Sequence, residues 1–317
     1  MGQHIYVYSP SGAVREKAAL RRAVSRLRAM GHEVELDADL LRSQMRFAGD
    51  DATRVAAIHR AAASGADWAI ISRGGYGLTR ILDQIDYKLL TRAISKGTQF
   101  VGHSDFTALQ CALLAKTGAK TWAGPAMAAD FGCEGEPDEI MLACFDDVVS
   151  GRSQGTGWRL PRPSRAKSPG AGAILAKLAA TKPIQRPIKN ATLWGGNLSI
   201  LAALVGTPWL PRIEGGVLFL EDISEHPYRI ERMLTQLLQA GVLQRQRAIL
   251  LGQFTNFSLL PHDRGYSMKT VLRWLRERLK LPVLENLPFG HVPTKVMLPV
   301  GESVDLLIED SEALILW

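Results

Sequence analysis

The segment Phe100-Val101-Gly102-His103-Ser104-Asp105-Phe106 sets a serine where a short apolar run gives way to a helical one. A tight strand-to-helix turn exposes such a hydroxyl, and the helix N-terminus beside it offers backbone N–H groups and the positive end of a dipole. That chemistry is nucleophilic attack on a carbonyl, with the N–H of Asp105 as a candidate donor to the developing oxyanion. The segment departs from G-x-S-x-G, because Phe106 stands where the second glycine would be. The residues alone leave the other role of such a serine open, which is to cap the helix.

Arg73-Gly74-Gly75-Tyr76-Gly77 follows the preceding apolar run, Trp68–Ser72. Adjacent glycines let backbone approach a ligand, and successive N–H groups form an anion-binding nest. The loop lacks G-x-x-x-x-G-K-[ST] and a complete G-x-G-x-x-G, so a nucleotide phosphate is not its expected ligand. Gly75 is expected to supply a second oxyanion donor. A serine nucleophile also needs a base and an orienting acid. Of the seven histidines, His103 adjoins Ser104, but neighbouring side chains on an extended turn diverge. His291 lies in Pro288-Phe289-Gly290-His291-Val292-Pro293, a stiff loop that can hold an imidazole at a cleft or simply be structural. Glu221 and Asp222 end the apolar run Leu218-Phe219-Leu220, where a carboxylate is either a helix cap or an orienting acid. No H-E-x-x-H, EF-hand or clustered Cys/His spacing is present, and no metal or other cofactor is expected.

These residues need a scaffold of alternating elements. His4–Tyr8, His32–Leu36, Trp68–Ser72 and Gln99–Gly102 read as strands, with helices over Ala13–Met30, Asp50–Ala63 and Phe106–Lys116. Strands alternating with such helices imply right-handed βαβ units and a parallel sheet, and ligands bind at its carboxyl edge. Residues 151–190 are rich in Gly, Pro, Ser, Arg and Lys and read as a linker. Beyond it, helices at Asn197–Val205, Tyr228–Ala240 and Met268–Leu279 alternate with strands at Val217–Leu220 and Ala248–Gly252, and the Leu- and Val-rich end reads as strands. The expected division is a nucleophile-bearing α/β domain over 1–150, a linker over 151–190 and a second domain over 191–317.

With 46% hydrophobic and 22% charged residues in 317, the chain is an ordinary globular protein, not a disordered one. No apolar run reaches membrane-spanning length and no secretory leader is legible, so a cytoplasmic location without membrane attachment is expected. The three cysteines show neither a disulfide framework nor C-x-x-C spacing, and Cys111 reads as core. The net charge of +7 gathers at Arg21, Arg22, Arg26 and Arg28, at Arg159, Arg162, Arg165 and Lys167, and at Arg273, Arg276, Arg278 and Lys280. Without basic–aromatic interleaving or a DNA-binding motif, solvated helix faces explain the first and last groups better than nucleic acid does. An acidic small substrate stays open.

Five segments together resemble the LD-carboxypeptidases (muramoyltetrapeptide carboxypeptidases): SRGGYGLTRILDQIDY from Ser72, VGHSDFTALQCALLAKTGAKTWAGP from Val101, WGGNLSILAALVGTP from Trp194, LFLEDISEHPYRIERMLTQL from Leu218 and GHVPTKVMLPVG from Gly290. They occur in family order across most of the chain. The resemblance implies a Ser–His–Glu serine peptidase with Ser104 as nucleophile, His291 as base, Glu221 as orienting acid, and Gly75 and Asp105 N–H groups as the oxyanion hole. It implies an N-terminal flavodoxin- or Rossmann-like parallel sheet domain and a C-terminal α/β domain with a curved, barrel-like sheet supplying Glu221 and His291. It further implies a homodimer that cleaves the L,D bond of a murein tetrapeptide and releases terminal D-alanine during cell-wall recycling. One departure is His103, where the family more often has an aromatic residue.

A carboxypeptidase must also hold a free carboxylate, for which arginine is the natural partner. Arg229 and Arg232, one turn apart beyond Glu221, are candidates, with Tyr76 as a further substrate contact. Two rival readings stand beside this one. A sibling group hydrolyses peptidyl-nucleotide antibiotics and confers self-immunity, which calls for an aromatic residue to stack a base; Trp158 and Trp194 are candidates. A non-catalytic module could use the Arg73–Gly77 nest to bind an anion.

Overall fold

The computed structural model describes residues 2–161, 186–309 and 311–317. The chain forms two compact units. Unit 1 comprises Met1–Ser153, Gly206–Pro211 and Pro293–Gly301, and unit 2 comprises Gln154–Val205, Arg212–Val292 and Glu302–Trp317. The chain therefore passes between units several times, whereas the sequence suggested one passage through a linker.

In unit 1, strands β1 (His4–Tyr8), β2 (Glu33–Leu36), β3 (Trp68–Ile71), β4 (Gln99–Gly102) and β5 (Thr121–Ala123) pair in parallel in the order β2-β1-β3-β4-β5. This is the flavodoxin order, with its switch point between β1 and β3. Strand β11 (Leu298–Val300) closes the far edge antiparallel to β5. Strand β3 is buried along its whole length, which is why Trp-Ala-Ile-Ile reads as a continuous apolar run and not as an alternation. Helices α1 (Lys17–Ala29), α2 (Asp51–Ala63), α3 (Tyr87–Ser95), α4 (Thr107–Thr117) and α5 (Glu139–Val149) complete the unit. Asp50 caps α2 by accepting the Thr53 N–H.

The first basic cluster lies on α1, and it is not merely solvated. Arg22 and Arg26 donate to the Gly132 and Phe131 carbonyls that end a short helical turn at Met127–Phe131. Cys111 is fully buried, and burial pushes its thiol up to about 12, as expected of a core cysteine.

Unit 2 holds a seven-stranded sheet ordered β10-β9-β8-β7-β12-β13-β6, from β6 (Gly155–Arg159), β7 (Ile188–Asn197), β8 (Val217–Ile223), β9 (Ala248–Thr255), β10 (Val283–Leu284), β12 (Ser303–Glu309) and β13 (Glu312–Leu316). The β7 to β10 half is parallel and the β12, β13 and β6 half antiparallel. The sheet ends in β10 and β6 and is open, not closed as a barrel. Helices α6 (Leu198–Leu204), α7 (Pro227–Gln239) and α8 (Met268–Arg278) follow β7, β8 and β9.

Strand β6 corrects the expected linker over 151–190: Gly155–Arg159 pairs with β13, and Ile188 already belongs to β7. Arg159 lies on β6 and meets Glu312. The rest of that basic cluster, Arg162, Arg165 and Lys167, falls outside the described residues.

Candidate active site

Ser104 follows β4 directly and opens a short turn, Ser104–Phe106, that runs into α4. Its φ is 64°, the left-handed region that an L-residue enters only under constraint. Two packing facts hold it there. A Cβ built on Gly74 would lie 2.7 Å from the Ser104 Cβ and 2.8 Å from its Oγ, so only glycine at 74 lets the loop after β3 lie against the serine. The Asp105 carboxylate, buried, accepts the Leu78 N–H at 2.9 Å and ties the far end of the same loop to the turn. Burial pushes the Asp105 carboxyl upward, and hydrogen bonds to it work the other way.

The Ser104 hydroxyl makes no hydrogen bond among the described residues, and neither the turn nor α4 has a side-chain cap. Helix capping is thereby removed as its role. The Asp105 N–H lies in the first turn, where backbone donors lack intrahelical acceptors, and the Gly75 N–H has no acceptor among the described residues.

What braces this loop is not legible in the sequence. Arg54 is fully buried on α2, donates to the Gly77 carbonyl at 2.8 Å and lies 4.9 Å over the Phe47 ring. It reads in sequence as one more helical arginine, and only its place opposite Gly77 shows otherwise. Tyr76 is half exposed, its ring 6.0 Å from Phe47. His103 is buried, with Nδ1 2.9 Å from the Gly124 carbonyl, and points away from a general-base role.

Unit 2 brings Glu221 and His291 together. His291 Nδ1 is 2.8 Å from Glu221 Oε2; the carboxylate is completely buried and the imidazole 18% exposed. Around Glu221 the ladder shifts: Leu220 faces Leu251 but Asp222 faces Phe254, so β9 carries one extra residue at this point. Such bulges re-aim side chains beside functional sites. Gly290 makes room for the contact, since a Cβ there would lie 3.2 Å from Glu221 Oε2 and its φ of 137° suits glycine alone.

The His291 loop is fastened by the Gln253 N–H to the Phe289 carbonyl (2.9 Å) and by Phe289 packed edge-on against Phe219. Asn197, which reads in sequence only as a helix start, donates from Nδ2 to Glu221 Oε1 (3.2 Å) and Asp222 Oδ1 (3.1 Å). Asp222 is anchored on Ser199, and burial, with Glu221 beside it, raises its carboxyl above the ordinary range.

A carboxylate on Nδ1 fixes that nitrogen as N–H and leaves Nε2 as the basic atom, the tautomer a general base needs. His226 also meets a carboxylate, Asp263 at 3.0 Å, but its Nδ1 accepts the Tyr228 N–H and caps α7. Arg229 and Arg232 are both exposed on α7, and Arg229 lies 3.6 Å from Glu225. Trp158 and Trp194 are buried, donating to the Glu285 carbonyl and to Gln246, so both serve packing and neither presents a face to a base. Among the described residues no cluster of His, Cys, Asp and Glu is arranged to hold a metal, and no helix is long and apolar enough to cross a membrane.

A constrained serine at the carboxyl edge of a parallel sheet, and separately an imidazole locked by a buried carboxylate, are groups of the kind that covalent hydrolases use. The chain belongs to the LD-carboxypeptidase family. Residues 5–124 match the LD-carboxypeptidase N-terminal domain and residues 190–306 the LD-carboxypeptidase C-terminal domain. It is similar to the crystal structure of muramoyltetrapeptide carboxypeptidase from Oxalobacter formigenes, with 38% identity, 98% of this chain and 97% of that one covered, and a TM-score of 0.84. A Bacillus subtilis protein named "Probable murein peptide carboxypeptidase" is 29% identical over 99% of this chain and 92% of its own length. The Escherichia coli microcin C7 self-immunity protein MccF is 26% identical over 72% of this chain and 67% of its own, and the structure of MccF with glutamyl sulfamoyl guanosine shares the fold at a TM-score of 0.83 and 21% identity.

Proposed function

We propose that this peptidase is of the serine type and removes the terminal D-alanine of murein tetrapeptides by cleaving an L,D-peptide bond. The observation that carries the reading is Ser104, its hydroxyl unengaged among the described residues and its backbone held at a left-handed φ immediately before a helix. In the proposed cycle His291 Nε2 takes the Ser104 proton as Oγ attacks the scissile carbonyl. The N–H groups of Gly75 and Asp105 hold the oxyanion, and Glu221 stabilises the imidazolium through Nδ1. The imidazolium then protonates the departing amine of D-alanine, and water resolves the acyl-enzyme.

The murein substrate is supported by the names of the Oxalobacter and Bacillus relatives, and the burial of Trp158 and Trp194 speaks against a nucleotide-stacking site built on either. The reading includes a cytoplasmic homodimer, which rests on the family resemblance. Mass spectrometry of a murein tetrapeptide incubated with the protein tests it. The wild type should release D-alanine, whereas Ser104→Ala and His291→Ala should be inactive and Glu221→Gln should lose roughly 10³- to 10⁴-fold in kcat. Faster cleavage of a peptidyl-adenylate than of the tetrapeptide would overturn the substrate, and equal activity of Ser104→Ala would overturn the mechanism.

A further inference from the structure

Three arginines from three different loops lie around the glycine loop that touches Ser104. Arg15 follows β1, Arg46 lies in the loop after β2, and Arg73 follows β3, so all three stand at the carboxyl edge of the sheet beside its β1/β3 switch point. Ligands of such sheets bind at that place. The Arg73 guanidinium is built in. It is half-buried and donates from Nη1 to the Ala13 carbonyl at 3.1 Å. Cβ atoms built on Gly12 and Gly75 would lie 3.1 Å from its Nη1 and 3.7 Å from its Nη2. Arg46 is carried over Tyr76, its guanidinium carbon 5.8 Å from the ring centroid.

Unlike Arg54, Arg60 and Arg80, which meet aspartates, none of these three has a carboxylate within ion-pair distance among the described residues. Their charges act on one another instead. Burial, then Arg15, then Arg46 lower the proton affinity of the Arg73 guanidinium. Cations gathered without a counter-charge beside an open N–H at Gly75 form a receptor for an anion that arrives from outside.

The nucleophile limits which anion. Gly74 is in contact with Ser104, and Arg73 is its chain neighbour. In a peptide ending in a free acid, the α-carboxylate lies three bonds beyond the carbonyl under attack. We propose that Arg73, flanked by Arg15 and Arg46, holds the free α-carboxylate of the residue that leaves, a proposal that rests on the carboxypeptidase reading. Carboxylate recognition thus falls to the nucleophile's own loop cluster and not to the α7 arginines, of which Arg229 already faces Glu225. It also gives the glycine loop two tasks: oxyanion donation at Gly75 and substrate register at Arg73.

The test compares a murein tetrapeptide ending in D-alanine with the same peptide ending in D-alaninamide. The readout is the acid-to-amide ratio of kcat/KM, which a general loss of fold or of catalytic geometry would not change. The wild type should favour the acid, Arg73→Gln should lower the ratio roughly 10- to 100-fold, and Arg73→Lys should recover part of it. The Arg15→Gln/Arg46→Gln double variant should lower the ratio several-fold and weaken its dependence on salt. Arg229→Gln/Arg232→Gln should leave the ratio unchanged.

A ratio unaffected by Arg73→Gln, or abolished by the α7 variant, would overturn the proposal. Calorimetry on Ser104→Ala, with and without Arg73→Gln, measures binding of both peptides apart from turnover. Tighter binding of the acid that disappears with Arg73→Gln supports the arginine site even if no cleavage occurs, and equal binding of acid and amide overturns it. A wild type that cleaves neither peptide would overturn the proposed function instead.

Discussion

Replacing Ser104 by glycine should give a more stable protein than replacing it by alanine, the reverse of the order at right-handed helical positions. The reason is the φ of 64°. A left-handed backbone costs an L-residue about 1–2 kcal/mol, which alanine retains and glycine relieves. Against this, glycine loosens the unfolded chain and forfeits about 0.4–1 kcal/mol. The contacts of a single Cβ over Gly74 add only tenths more, at about 0.1–0.2 kcal/mol per atom pair. The balance favours glycine by about 0.5–1 kcal/mol. Urea unfolding followed by circular dichroism measures it as a higher midpoint at unchanged slope. Both variants should be inactive, so stability and turnover separate. A glycine variant less stable than alanine by ~0.5–1 kcal/mol, as at a right-handed position, would refute the claim that the turn holds the serine under strain.

Two further outcomes concern unit 1. Lys295 and Asp130 form a buried pair at 2.7 Å, with Asp130 also accepting the Ala126 N–H, so Lys295→Met should destabilise by about 3–5 kcal/mol and Lys295→Met/Asp130→Asn by less; equal melting temperatures for wild type and the single variant would contradict this. Burial lowers the pKa of His32, with Asp146 working the other way, and its neutral ring accepts the Gln3 N–H at 3.2 Å. The unfolded chain then binds the proton more readily, so the His32 contribution is complete above pH ~6.5 and declines as pH falls through that value. Melting temperatures between pH 8 and 5 should fall less steeply in His32→Gln than in the wild type.

Much of this protein is local, and the local part is legible in the chain. The strands from His4, Trp68 and Gln99 are apolar runs because a parallel sheet is covered on both faces, and the helices between them end near Gly31, Gly65 and Gly118 as their glycines suggest. Strand β6 was not legible: Gly155-Thr-Gly-Trp-Arg reads as loop, and its hydrogen-bonding partners come from β13 at the other end of the chain. Strand β5 is too short to carry a pattern, whereas α5, with Met141, Phe145, Val148 and Val149 at helical spacing behind the Asp138 cap, carries a helical signal in its sequence.

At the site, residue type and near neighbours offered Ser104, its glycine loop, Glu221 and His291 as candidates with other roles open, and the resemblance to the LD-carboxypeptidases chose among those roles. Tertiary structure decided the rest: the left-handed φ and unengaged hydroxyl of Ser104, the Asp105–Leu78 and Arg54–Gly77 braces, and the 2.8 Å contact of residues 70 apart in the chain. Those features depend on register, on the extra residue in β9 opposite Glu221 and on which loop lies against which. No local pattern encodes them, because each is fixed by close packing between segments far apart in sequence.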